Sequence, residues 1–248
     1  MARIAIFSDI HANIRALEAS LGDLARMGGC ERVYCLGDVI GYGPTPNAVL
    51  AVARQTFQLC IRGNHEHACI HGAVDFNEMA RRAIDWTRYT VMPDYDNATP
   101  EQHSNWSWIA NLPDQYNDGR HLFVHGAPQD PVDEYILPVD IDPQSRTYGA
   151  KLQEAFDLTP WLTFCGHSHY PGLFSQNGSY VSPTLQKQVS VTLDPNIKHI
   201  VNVGSVGQPR DGDNRSCYVI YDDQANSVTW RRIHYDIQDI YLRIYSID

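Results

Sequence analysis

Short apolar runs alternate with polar loops along the chain, and the loops keep returning the same kinds of side chain. Residues 3–7 form an Ile-rich run ending at Ser8, Asp9 and His11, the pattern of a buried strand that delivers its C-terminal loop to a site. A helix is expected next: Asn13 can cap it, Ile14, Leu17, Leu21 and Leu24 share one face, and Gly28-Gly29 stops it. The unit then repeats. Residues 33–36 read as a strand, Gly37-Asp38 as its loop, and Thr45-Pro46 as the cap and first position of a second helix. Residues 57–61 read as a third strand, followed by Arg62-Gly63-Asn64-His65-Glu66. Three successive strand ends thus place charged or metal-competent side chains at one edge.

Between residues 74 and 120 the pattern is helical and aromatic, with Thr99-Pro100-Glu101-Gln102 matching a capping box and Trp86, Trp106 and Trp108 available for packing. Two further strands, over 121–124 and 161–165, end in Val-His125-Gly126 and Gly166-His167-Ser168-His169. In the tail, residues 200–203, 217–221 and 228–235 read as strands joined by short turns, which predicts antiparallel pairing. No repeat or linker interrupts the chain, so a single catalytic domain over residues 1–248 is expected, of α/β class, with sheet sandwiched by helices.

Composition narrows the function. With 43% hydrophobic and 19% charged residues the chain is neither disordered nor fibrous. A net charge of -10 argues against an extended nucleic-acid surface or an anionic-lipid surface, each of which needs clustered Lys and Arg. A local anion site is still allowed, because metal ions would reverse the sign of the field in one pocket. Nothing approaches a run of about eighteen apolar residues, so no membrane association and a cytoplasmic location are expected. The six cysteines have no CxxC spacing and read as buried free thiols.

The chemistry lies at the strand ends: Asp9 with His11, Asp38, Asn64 with His65, His125, and His167 with His169. A loop Asp or His alone is usually a solvated or capping residue. Five strand ends that each supply divalent-cation ligands change the odds, since parallel strands bring such ends into one crevice. In Asp9-Ile10-His11 and His167-Ser168-His169 an i,i+2 separation in extended backbone would point both side chains the same way. Gly37, Gly63, Gly126 and Gly166 adjoin proposed ligands, where a missing Cβ permits tight turns and close approach.

With those motifs in order, Asp9-x-His11, Gly37-Asp38, Gly63-Asn64-His65-Glu66, His125-Gly126 and Gly166-His167-x-His169, the chain resembles the calcineurin-like metallophosphoesterases over about residues 1 to 210. The resemblance implies a four-layer αββα sandwich with two mixed β-sheets. It also implies two divalent metal ions, one held by Asp9, His11, Asp38 and His169 and the other by Asp38, Asn64, His125 and His167, with Asp38 as the bridge. A metal-bridging hydroxide would attack phosphorus, and His65 would stabilise charge or protonate the leaving oxygen. Glu66, where many relatives carry Asp, would orient His65.

The segment from Val203 to Asp211 is similar to a stretch of the bacterial and archaeal branch related to diadenosine tetraphosphatase. In it Arg210 is a candidate phosphate ligand that Asp211 or Asp213 would otherwise neutralise, and Arg62 has the same status. The implied substrate is a small phosphorylated molecule, nucleotides included: a phosphomonoester, a phosphodiester or a dinucleoside polyphosphate. Mixed nitrogen and oxygen ligands suit manganese, iron or zinc and allow cobalt or nickel.

Two rival readings stand against this one. One is a non-catalytic scaffold of the same fold, which loss of His65 or of several ligands would favour; the other is a structural zinc site, which would want cysteine ligands. Tyr42, Trp86, Tyr135 and Tyr148 are candidates for stacking a base or for plain packing, and an edge strand in the tail is a candidate homodimer contact.

Overall fold

The strand that opens the chain, β1 (Arg3–Phe7), buries both of its faces, and its alternation sorts it between two apolar layers. Ala5 and Phe7 face one way, Ile4 and Ile6 the other. The computed structural model describes residues 3–247 except 75, 95–96, 143 and 146–148.

Helix α1 (Ile14–Arg26) starts as expected, with the Asn13 side chain accepting from Ala16 N at 3.1 Å, and ends before Gly28 and Gly29, both at positive φ. Strand β2 (Arg32–Cys35) and helix α2 (Pro46–Thr56) follow. Thr45 stands at the α2 N-cap without capping it: its hydroxyl donates to Ala12 O at 2.6 Å and accepts from Ile14 N at 3.3 Å, so it ties down the start of α1 instead. The third strand, β3 (Leu59–Cys60), is shorter than the apolar run suggested, because beyond Cys60 the chain turns into α3 (Asn64–His71). Then come α4 (Glu78–Val91), α5 (Pro100–Ala110) with the Thr99–Gln102 capping box formed, β4 (Gln115–Asn117), β5 (His121–Val124), a 3-10 turn over Pro138–Ile141, and α6 (Ala150–Leu158). The rest is β6 (Leu162–Cys165), β7 (Gly172–Ser175), β8 (Tyr180–Val181), β9 (Gln188–Thr192), β10 (His199–Asn202), β11 (Ser216–Asp222), β12 (Ser227–Ile233) and α7 (Ile237–Tyr245).

The strands form two mixed six-stranded sheets, ordered β3-β2-β1-β11-β12-β9 and β4-β5-β6-β10-β7-β8. One apolar layer, with Phe7, Leu17, Leu50 and Tyr218, joins the first sheet to α1 and α2. A second, with Ile6, Leu36, Phe164, Val201 and Trp230, lies between the sheets, and a third, with Val124, Phe156 and Ile200, joins the second sheet to α6. Three apolar layers make four structural layers, the expected αββα sandwich. Trp230 also crosses between the sheets, donating from Nε1 to Asn202 O at 2.9 Å.

The tail departs from expectation at one strand. β11 and β12 pair antiparallel, but β10, expected to join them, lies in the other sheet, parallel to β6 and antiparallel to β7. All four residues of β10 are buried, so no in-out alternation marked the sheet it belongs to. Among the described residues no helix is long and apolar enough to cross a membrane, and all six cysteines are free, five of them buried.

Candidate metal centre

The parallel trio β1, β2 and β3 of one sheet and the parallel pair β5 and β6 of the other end at a common place. Asp9, His11, Asp38, Asn64, His65, His125, His167 and His169 are all buried there. Their ligand atoms form two groups: Asp9, His11, Asp38 and His169, and Asp38, His125 and His167, the members of each lying within 4.8 Å of one another. Asp38 belongs to both. His169 Nε2 lies 3.1 Å from Asp9 Oδ1 and 3.1 Å from His11 Nε2. His125 Nε2 lies 3.4 Å from Asp38 Oδ2, 3.1 Å from His167 Nδ1 and 3.2 Å from Asn64 Oδ1.

The i,i+2 pairs reach these places by a different backbone from the extended one expected. Asp9, His11, Asp38, His167 and His169 have φ of 53°, 48°, 51°, 62° and 61°, in the left-handed region that costs a non-glycine residue about 1 kcal/mol or more. Hydrogen bonds offset that cost. Past the ends of β1 and β2, Asp9 N reaches Gly37 O at 3.1 Å, His11 N reaches Asp38 O at 2.9 Å, and Ala12 N reaches Val39 O at 2.9 Å, so the two ligand loops remain zipped together. The glycines permit close approach: a Cβ on Gly63 would strike the Asp38 backbone and carboxylate, and one on Gly166 would strike Ser8 and Asp9.

Each of the four candidate histidines spends one ring nitrogen on a backbone carbonyl. Nδ1 of His11, His125 and His169 faces Ile40 O at 3.3 Å, Leu36 O at 2.8 Å and Gln208 O respectively, and Nε2 of His167 faces Asp133 O at 3.0 Å. The carbonyls can only accept, so each ring donates outward and turns a lone pair inward. Four imidazole lone pairs, two carboxylates and an amide oxygen therefore converge. The Asn64 oxygen meets only acceptors there, Asp38, His125 and His167; with no ion a flipped amide would suit it better, whereas a cation at the centre is satisfied by the orientation as it stands. This donor set, rich in nitrogen and oxygen and free of cysteine, fits divalent metals.

Electrostatics follow from burial and proximity. Burial opposes charge on Asp9, yet His169 holds its carboxyl well below the usual range, and Asp38 is likewise lowered by His125 and His65. Burial pushes His11 down, His167 down to about 3 and His65 down to about 4. On His125 burial is outweighed by Asp38, which with no cation beside it pushes the ring up to about 10; a bound metal would take the place of that proton on Nε2.

His65 lines the cleft over these groups, its ring held by Tyr42 at 4.5 Å and Phe76 at 5.4 Å between centroids. Its Nδ1 has no hydrogen-bond partner among the described residues, and Gly41 packs so closely against it that a Cβ there would collide. Glu66 does not orient His65. Its Oε2 accepts from Asp38 N at 2.8 Å and Gly63 N at 2.9 Å, and its Oε1 from Ile40 N at 3.1 Å, because the long side chain reaches back across the start of α3 to the β2 loop. Burial, helped by the Asp38 carboxylate, pushes this carboxyl up to about 7, against the amides of Ile40 and Gly63.

Of the two candidate phosphate ligands, Arg210 lines the cleft and Arg62 does not: Arg62 donates to Asp114 Oδ1 at 2.8 Å and Ala110 O at 3.3 Å, which draws it away toward α5. Tyr42 and Tyr135 line the cleft, Trp86 lies half-buried on α4 outside its lining, and Tyr148 lies outside the described residues. The cleft holds about 520 Å3; a more open groove of about 760 Å3 between α2, β3 and α5 contains none of the site residues.

Sequence reasoning missed the brace behind the site. Ser205 Oγ donates to Asp9 O at 2.8 Å, Gly207 N to Asp9 O at 2.9 Å, and Asn202 Nδ2 to Gly166 O at 2.6 Å. The signal was present in Gly204-Ser-Val-Gly207, where a Cβ on Gly207 would strike Ile10 O.

A family model described as the calcineurin-like phosphoesterase superfamily domain matches residues 2–226. An uncharacterized protein of Methanocaldococcus jannaschii is 32% identical over 248 residues, covering 97% of this chain and 91% of its own length. The crystal structure of a metallophosphoesterase from Sphaerobacter thermophilus is similar at 32% identity and a TM-score of 0.78, over 98% of this chain and 93% of that one. A hypothetical protein of Pyrococcus horikoshii shares the fold at 19% identity and a TM-score of 0.73, over 99% and 93% of the two chains.

Proposed function

Because the chain belongs to the calcineurin-like phosphoesterase superfamily, we propose that it is a metal-dependent phosphoester hydrolase, a single domain holding two divalent cations at its strand ends. Asp9, His11, Asp38 and His169 would hold one, and Asp38, Asn64, His125 and His167 the other, with Asp38 shared. The observation that carries this reading is the inward convergence of four imidazole lone pairs, each fixed by an outward bond to a backbone carbonyl. When bound, such a pair supplies an acidified water and neutralises phosphate charge. Manganese is the first expectation for a site of nitrogen and oxygen ligands, with iron and zinc next and cobalt and nickel compatible.

The chain's own residues do the rest. His65, kept neutral by burial, serves a phosphate oxygen as a hydrogen-bonding partner better than it serves as a proton source. Arg210 grips the phosphate group from the cleft wall. The buried free thiols suit a reducing cytoplasm.

The test is metal analysis of protein stripped and reloaded with manganese, iron or zinc, together with hydrolysis of p-nitrophenyl phosphate and bis-p-nitrophenyl phosphate. Bound metal with turnover supports the hydrolase. Bound metal without turnover of any ester returns the scaffold reading, and failure to bind any of the three metals removes the site assignment.

A further inference from the structure

Arg210 lines the cleft, and among the described residues no carboxylate forms an ion pair with it. The two carboxylates closest to it in sequence are engaged elsewhere: Asp211 pairs with buried Arg232 and accepts from Thr184 Oγ1 at 3.1 Å, and Asp213 holds Arg215. The partners of Arg210 are uncharged. Its Nη2 donates to Gln208 Oε1 at 2.7 Å, and its guanidinium lies on the cleft wall with the Tyr42 and Tyr135 phenols, close enough for its charge to act on both. Both phenol rings are fixed on the site itself. Tyr135 stacks on His167 at 3.8 Å between centroids, and Tyr42 sits edge-on to His11 at 4.9 Å. One ring thus rests on each ligand group, with the guanidinium beside both.

We propose that Arg210, held by Tyr42 and Tyr135, is the specificity determinant of the cleft and restricts it to esters carrying one phosphate group. This rests on the phosphoesterase reading above and deepens it. Among the described residues lining the cleft, Arg210 is the single Lys or Arg, and Asp133 adds an opposing charge. A guanidinium fork engages the oxygens of one phosphate. Beyond the one phosphate group that the metals and Arg210 would hold, a polyphosphate would bring further anionic groups into the cleft with no further Lys or Arg among the described lining residues to meet them. The organic part of the ester has a different wall to lie on. Phe76, edge-on to His65 at 5.4 Å, and the neighbouring Val74 give an apolar surface that suits an aromatic alcohol, a nucleoside or an aryl group. Tyr42 and Tyr135 are positioning residues, acting through Arg210.

The experiment uses the full chain loaded with manganese and compares bis-p-nitrophenyl phosphate with diadenosine tetraphosphate. The diester is expected to have the higher kcat/KM, by about tenfold or more. Arg210→Ala should raise KM for the diester about tenfold with a smaller change in kcat, and Arg210→Lys should restore only part, since an ammonium lacks the planar fork. Tyr42→Phe and Tyr135→Phe should raise KM by a smaller factor while metal content and Tm stay unchanged. Calorimetric binding of adenosine 5′-monophosphate gives a readout independent of turnover, and Arg210→Ala should weaken it about tenfold. Equal or better use of diadenosine tetraphosphate by the unaltered protein, or an unchanged diester KM in Arg210→Ala, overturns the proposal. Absence of turnover with every ester would instead count against the phosphoesterase reading, and the nucleotide-binding arm would then decide the role of Arg210.

Discussion

Glu66 and Asp38 lock each other's loops. Glu66 Oε2 accepts the Asp38 amide at 2.8 Å, while Asp38 Oδ1 accepts the amide of His65, the neighbour of Glu66, at 2.9 Å. The residue shared by both ligand groups is therefore held through its backbone by α3 and holds α3 through its side chain. Its position does not depend on the ions it is proposed to bind, which is the preorganisation a metal site requires.

Removing that lock should be expensive. Glu66→Ala leaves the amides of Asp38, Ile40 and Gly63 without their acceptor in a buried place, a loss of about 3 kcal/mol or more. Glu66→Asp, one methylene shorter, should recover little of it. Calorimetric unfolding of the two variants checks this, and a Tm equal to that of the unaltered protein would show that the lock has no energetic role.

His65 should matter to turnover and not to metal retention, because it lines the cleft without belonging to either ligand group. His65→Gln is expected to lower kcat by about a hundredfold or more with metal content unchanged. Gly41→Ala offers an independent route to the same outcome, since its Cβ would displace the His65 ring. Metal analysis alongside single-turnover kinetics separates the two effects, and loss of metal from His65→Gln would make it a ligand instead.

The loop that carries Arg210 should respond to acid. Arg215 holds the Asp213 carboxyl down from 3.8 to about 2. A folded value below the unfolded one stabilises the protein above pH 3.8, and this contribution is lost as the pH falls toward 2. Between those limits the Tm of Asp213→Asn should fall less steeply than that of the unaltered protein. Parallel Tm profiles would assign the acid sensitivity to other groups.

The site was far more legible in the sequence than the topology around it. Asp9, Asp38, His125 and His169 sit in short loops after apolar runs and Asn64 opens α3 directly after one, and each stretch announces itself by composition alone. The sheet to which β10 belongs could not be read, because a strand buried on both faces loses its period-2 signal. β4, β7, β8 and β9 were also missed; β4 and β8, of three and two residues, are too short to make a pattern. The left-handed backbone at His11 and His169 was hidden because an i,i+2 pair looks the same in a strand and in a zipped loop. Glu66 was read as a partner of His65 from adjacency, whereas its reach back to the β2 loop exists only in three dimensions.

The central claim is that Asp38 serves both ligand groups at once, and metal stoichiometry tests it most directly. Metal-stripped protein and Asp38→Asn, with circular dichroism confirming that both are folded, would be titrated with manganese by calorimetry and the bound metal counted by mass spectrometry. Two equivalents per chain in the unaltered protein and one or none in Asp38→Asn, with hydrolysis lost, is the predicted result. Two tightly held equivalents in the variant would contradict the shared site.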